Sequence, residues 1–282
     1  MFLRTLLLLA VLTGIGGCAT TAQPSLVEVR AFADASASLG GYAELAHRYR
    51  DTYQRERPYL SPAADQLARA NDARRQAVYD DFVNLQKALV RYMQTLALLA
   101  ADARYDLGPR IDDIGTGLKT GADSGLTARQ ITAYTGLTRL LARVVASGYQ
   151  QRTVDAMVRD GDADVQDLLD AMITLTRLYA KTSENEKKTV LGTLELALAS
   201  APRGTDSLLL ILARVHLQNK TVEYQLIDKR DALAMQGLVK VAQGHRTLRD
   251  NLHQLTRDDT RAMLASYAQD LRIIHDGLRE QP

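Results

Sequence analysis

Apolar residues recur along much of this chain in alternating steps of four and three. From Val78 they run through Phe82, Leu85, Leu89, Tyr92, Leu96 and Leu99. The same spacing links Ala234, Leu238, Val241, His245, Leu248, Leu252 and Leu255, and then Leu264, Tyr267, Leu271, Ile274 and Leu278. Such spacing keeps one helical face apolar and is the seam of long helices packed at about +20°. Val and Ile rarely alternate with polar residues over any window, so no strand is predicted. The pattern predicts an all-α fold: an elongated bundle of long antiparallel helices with coiled-coil-like heptad seams.

Punctuation sets the boundaries. The prolines stand at 24, 58, 62, 109, 202 and 282, never inside a long periodic segment, where one would cost about 3 kcal/mol. Ser25-x-x-Glu28, Thr127-x-x-Gln130 and Ser183-x-x-Glu186 read as capping boxes, and Ser61-Pro62 as a cap followed by proline at the first helical position. Helices are therefore expected near 25–57, 61–104, 127–160, 163–182, 183–201, 205–256 and 258–280, with a shorter one at 109–119. The 205–256 helix would run about 78 Å unbroken, with Gly237 and Gly244 as places to bend. The last two helices, joined at Arg257-Asp258-Asp259, should form a hairpin. No repeat of solenoid period is evident.

Composition narrows the function more than the fold. The formal net charge of +2 is too balanced to argue for a nucleic-acid partner or strong attraction to acidic lipids. The single cysteine, Cys18, rules out an intrachain disulfide.

That cysteine closes a short apolar N-terminus: one positive charge (Arg4), an apolar run from Thr5 to Leu12, then small residues. The run is well short of the roughly 20 residues that cross a bilayer as a helix, and the three parts are those of an export signal. Ile15-Gly16-Gly17-Cys18 resembles the lipobox of bacterial lipoproteins. The resemblance covers only these first residues. It implies cleavage of a 1–17 signal peptide, a diacylglyceryl group on the Cys18 sulfur and acylation of the new amine. Ala19 follows, where the inner-membrane retention signal of enteric relatives has Asp, so the resemblance points to the outer membrane. Two or three acyl chains would make attachment essentially permanent. Residues 18–24 form a short tether reaching ~20–25 Å at most, and 25–282 the helical domain, with a sub-boundary expected in the Gly-rich segment 106–126.

Candidate chemistry is sparse. Glu44-x-x-His47, with Asp250-x-x-His253 as a loose second copy, has the spacing of di-iron bundles. The seam Leu39, Tyr42, Ala46, Tyr49, Tyr53 turns Glu44 and His47 outward, so solvated surface residues are expected and no metal site. Asp160-Gly161-Asp162-Ala163-Asp164 starts like a calcium loop but has Val165 and Ala171 where Gly and Glu are required; a helix N-terminus explains the acids better. Gly115-Thr116-Gly117-Leu118-Lys119-Thr120-Gly121 lacks the Gly-Lys of a P-loop and follows no strand. As part of the most irregular mature segment it is nevertheless an expected interaction segment through Gly115, Gly117, Lys119 and Gly121. His245 lies on a seam, where a bond to a neighbour such as Tyr267 is expected. Tyr42, Tyr49 and Tyr53 form a stripe suited to core packing.

Neither Gly-x-Ser-x-Gly nor His-Glu-x-x-His occurs, and no cysteine is left to act as a nucleophile. No catalytic residue, metal or cofactor beyond the covalent lipid is therefore expected. The sequence favours a lipoprotein on the periplasmic face of the outer membrane that serves as a structural or interaction module for an envelope protein. The alternative is a module binding a small envelope ligand (a cell-wall fragment, lipid or metal ion) between helices or at 106–125.

Overall fold

A computed structural model describes residues 26–38, 41–101, 118, 125–146, 154–201 and 208–279. The architecture is an all-α bundle. Its helices are α1 (Val27–Ala37), α2 (Gly41–Arg50), α3 (Thr52–Glu56), α4 (Pro62–Ala100), α5 (Ala128–Ala146), α6 (Val154–Ala199), α7 (Leu208–Asp250) and α8 (Asp258–Arg279). Short 3₁₀ turns at Arg57–Tyr59 and Leu252–Gln254 follow α3 and α7.

Long-range pairs fix the directions. The Arg261 guanidinium reaches Glu28 at 2.8 Å, so α1 begins where α8 begins. From that end α1, α2 and α3 run successively along the bundle, and the Tyr59 hydroxyl meets His216 near the other end at 2.7 Å. α6 and α7 are antiparallel over their length: Asp162 meets His245 at one level and Lys187 meets Asp228 at another. α8 turns back along α7 and packs between it and α1. The end holding the start of α1 is called proximal here. Its half contains α1, α5 and α8 with the inner parts of α4, α6 and α7, and one large apolar core from Val29 to Leu278. The distal half is thinner. There Val190, Tyr224 and Ile227 form a separate small cluster backed by Tyr59, Leu191 and Leu194.

Two predicted caps are present: Ser61 accepts from the Ala64 N–H at 3.3 Å, and Thr127 and Gln130 exchange reciprocal bonds of 3.0 and 3.3 Å. Others are corrected. α1 starts after Leu26 with no side-chain cap, Ser25 lying outside the described residues, and Glu28 bonds Arg261 instead. The 25–57 helix is interrupted, with Gly41 opening α2 where an added Cβ would sit 3.2 Å from Leu278. Residues 127–160, 163–182 and 183–201 do not make three helices: α5 ends at Ala146 and α6 is one helix of 46 residues, about 69 Å long. Its apparent start signals lie in mid-helix because tertiary partners, not helix ends, satisfy them. Asp162 bonds His245, and Glu186 bonds two arginines. The Asp160–Asp164 acids thus cap no N-terminus. The expected 109–119 helix and the 106–126 sub-boundary fall outside the described residues, apart from Leu118, which packs on the main core, and Gly125 and Leu126.

Close helix approach is achieved at glycines. A Cβ on Gly161 would lie 2.8 Å from the Tyr92 ring and 2.9 Å from Leu140, and one on Gly244 would collide with the Phe32 ring. Gly192, by contrast, is exposed on α6 with nothing within 4 Å. Gly161→Val should therefore lose about 1–3 kcal/mol to overpacking, whereas Gly192→Ala should gain up to about 1 kcal/mol from helix propensity. Urea unfolding of the two variants checks both signs.

Candidate functional site

The distal half depends on a buried carboxylate. Glu186 is 1% exposed in the middle of α6, where an unpaired charge would be prohibitive. Its oxygens receive Arg48 at 3.0 Å, Arg55 at 3.0 and 2.7 Å, and the Tyr224 hydroxyl at 3.0 Å. Arg48 and Arg55 are one and a half to two turns apart on α2 and α3, so the broken N-terminal helix presents both to one acid. Burial pushes the Tyr224 hydroxyl up, and the Glu186 charge adds to this.

Above this cluster a groove of about 630 Å³ opens between α2–α3 and α7. Leu45 forms part of one wall, Val222, Leu226 and Ile227 the other. Its charges are already matched. Arg230 holds Glu44 at 3.0 Å and also reaches the Leu278 carbonyl; Arg50 holds Asp51 at 2.6 Å; Lys220 holds Glu223 at 2.6 Å. His47 bonds the Tyr79 hydroxyl. The residues read as an outward Glu-x-x-His pair therefore line this groove with separate partners, and His253 lies in the turn after α7. Among the described residues no group of three or more His, Cys, Asp or Glu side chains is placed to hold a metal ion.

Asp231, 8% exposed on α7, lies behind the groove. Burial raises its pKa to about 7, with Asp228 adding to the shift and Arg48 opposing it.

A second polar network sits in the proximal core. His245 bonds the Tyr92 hydroxyl through Nε2 at 2.9 Å and Asp162 through Nδ1 at 3.1 Å, and Arg249 closes on Asp162 at 2.9 Å. The expected neighbour Tyr267 is not the partner: it faces Phe32 and Lys240, while Gly161 lets α4 bring Tyr92 to the histidine. Burial opposes ionisation of Asp162, but the His245 bond and the Arg249 charge outweigh it and hold the pKa below the ordinary value. The connectivity is that of an acid, a base and a hydroxyl. Tyr92 and His245 are both fully buried, so the trio ties α4, α6 and α7 together rather than meeting a substrate.

Of the tyrosine stripe, Tyr42 is buried with its hydroxyl donating to the Ala234 carbonyl. Tyr49 packs on Tyr179 and Phe82, and Tyr53 donates to Asp65 at 2.9 Å. Ile15, Gly16, Gly17 and Cys18 lie outside the described residues, as do Gly115, Gly117, Lys119 and Gly121.

A further stripe, outside the seams picked out by periodicity above, runs along α7 in fours and threes: Leu208, Leu212, Val215, Asn219, Val222 and Leu226. At 3.6 residues per turn these fall within about 40° of one line. Leu208 is 71% exposed, Leu212 55%, Val215 47% and Val222 48%. The spacing was visible in the chain; its lack of cover was not. Among the described residues no helix is long and apolar enough to cross a membrane. In comparisons with known protein families, curated proteins and solved structures, the chain matches none.

Two measurements test the electrostatics. Glu186→Gln should cost about 2–4 kcal/mol, because it leaves two part-buried guanidinium groups short of a charge; denaturant unfolding reads it. Folded Asp231 holds its proton more tightly than the unfolded chain does. Its contribution to stability therefore falls as pH rises from about 4 to about 7 and is flat above. Asp231→Asn should stabilise the protein by on the order of 2–4 kcal/mol at pH 8 and add little at pH 4, as paired melts at the two pH values would show.

Proposed function

We propose that this protein is an outer-membrane lipoprotein, anchored through Cys18 on the periplasmic face, that works as a non-catalytic structural and protein-interaction module. The observation that carries the reading is the apolar stripe of α7, exposed among the described residues, running into a groove of about 630 Å³. Soluble surfaces rarely leave a contiguous apolar stripe open unless something docks there, and an amphipathic helix laid into a groove is a standard recognition mode. The lipobox-like Ile15-Gly16-Gly17-Cys18 supports the anchor. Because α1 starts at the proximal end and α7 at the distal end, the stripe lies well away from the tether along the bundle.

A second reading is favoured by the size of the groove, which falls in the range of small-molecule sites: a small envelope ligand seated against Val222 and Ile227. It would raise the melting temperature of the protein.

Fractionation combined with in-cell crosslinking separates the two. The wild type should sediment with outer membranes and give a discrete protein adduct, and Cys18→Ser should lose both. A wild type that remains soluble and uncrosslinked, yet is stabilised in a thermal-shift screen of cell-wall fragments and lipids, would favour the ligand reading.

A further inference from the structure

Along α7 the stripe does not stop at Leu226. Arg230, Leu233 and Lys240 continue the same line, and there α8 covers it. The Leu278 carbonyl meets Arg230, Leu233 packs over Gly277, where an added Cβ would sit 3.0 Å from it, and Asp270 holds Lys240 at 2.7 Å. α8 ends at Arg279, at the mouth of the groove. The groove is thus the track of α8 prolonged toward the distal end, with α7 as its floor and α2–α3 as one flank. What fits a track shaped by a helix is another helix.

The chemistry of that helix is constrained. The groove's charged groups already have partners, Glu44 in Arg230, Asp51 in Arg50, Glu223 in Lys220, and Arg48 and Arg55 in Glu186, with the buried Arg48 Nε left unbonded. An occupant carrying an array of charges on its buried face would therefore lack partners and lose hydration. The surface asks for an apolar, uncharged face with side chains spaced by fours and threes. Among the described residues that face is displayed on α7 itself, at Leu208, Leu212 and Val215. The one charge between Leu208 and Asn219, Arg214, points about 120° away from it.

From these observations we infer that the stripe and groove of α7 bind the same surface of a second copy of this chain, antiparallel, about a two-fold axis near position 217. This rests on the reading of the surface as a protein-docking site and names its occupant. The spacing 4-3-4-3-4 is palindromic. A single axis sets Leu208 against the partner's Leu226, Leu212 against the partner's Val222, and Val215 against the partner's Asn219. Each copy's exposed distal turns then fill the other's groove, as an isologous contact requires. α6 packs on the opposite side of α7, through Tyr224 and Asp228, and stays clear of the contact. The two N-termini lie at opposite ends of such a dimer. The eight residue steps from Cys18 to Leu26 span ~28 Å at most, which lets both lipids reach one bilayer when the dimer lies along it.

The test uses the mature protein extracted in mild detergent. Sedimentation velocity should show a dimer, and Leu212→Glu should weaken association at least about thirtyfold. Because Leu212 is exposed in the single chain, that variant should keep its helical content and melting temperature. The double variant Leu212→Cys/Val222→Cys should crosslink through disulfides between copies, and neither single variant should. A wild type monomeric at roughly 100 μM overturns the inference, and so does self-crosslinking by Leu212→Cys alone, which would mean parallel pairing. A photo-crosslinker at Val222 distinguishes the two levels of failure. If the protein is monomeric but captures another protein in cells through residues spaced three or four apart on a helix, the docking reading stands and self-association falls. If it captures nothing, both fall.

Discussion

One buried carboxylate holds the distal half of this molecule together. Glu186 sits in a 46-residue helix whose neighbours there offer few apolar contacts, and it is neutralised only from outside that helix, by Arg48 and Arg55. Such a pair adds little net stability compared with a hydrophobic substitute, but removing one side is expensive. Its effect is positional. It draws α2 and α3 onto α6, sets Tyr224 of α7 in the same cluster, and so fixes the two walls between which the groove opens.

The proximal half works on a different balance. There the large core supplies most of the burial, and the Tyr92–His245–Asp162–Arg249 network adds direction to an otherwise non-directional apolar interior. α4, α6 and α7 traverse both regimes. The buried apolar side chains become fewer along them from the proximal to the distal end, while many of the exposed apolar side chains lie on the distal part of α7. A surface that presents leucines must still be held still, and the ion cluster does that with only the small Val190–Tyr224–Ile227 cluster beneath it.

Much of the fold was legible in the chain, because 3.6-residue periodicity, proline positions and local caps are all near-neighbour signals. The seam residues Phe82, Leu85, Leu96, Leu238 and Leu271 are buried as their spacing implied. What misled was polarity inside long helices. Ser183-x-x-Glu186 and Asp160–Asp164 look like helix starts, since locally a carboxylate is explained most simply by free backbone N–H groups. Their actual partners are Arg48 and Arg55, more than 130 residues away, and His245, 83 residues away. No short-range rule finds those. The groove was hidden for the same reason: Leu45 and Val222 become neighbours only once α2 docks. The α7 stripe was open to inspection, but periodicity alone does not distinguish a covered seam from a bare one.

The glycine contacts bear on a problem peculiar to bundles of this kind. A seam that repeats every seven residues nearly matches itself when one helix slides by about 10 Å along its neighbour, so the apolar pattern alone leaves several alignments close in energy. Gly161 under Tyr92 and Gly244 under Phe32 occur once each. Shifted by one heptad, the Tyr92 ring would meet Val154 or Leu168 in place of Gly161, whereas Phe32 would meet Asn251 in one direction but another glycine, Gly237, in the other. The Gly161 socket acts as a keyway: it removes the degeneracy that the repeat creates for α4 on α6, and the Gly244 socket closes off a shift in one direction only.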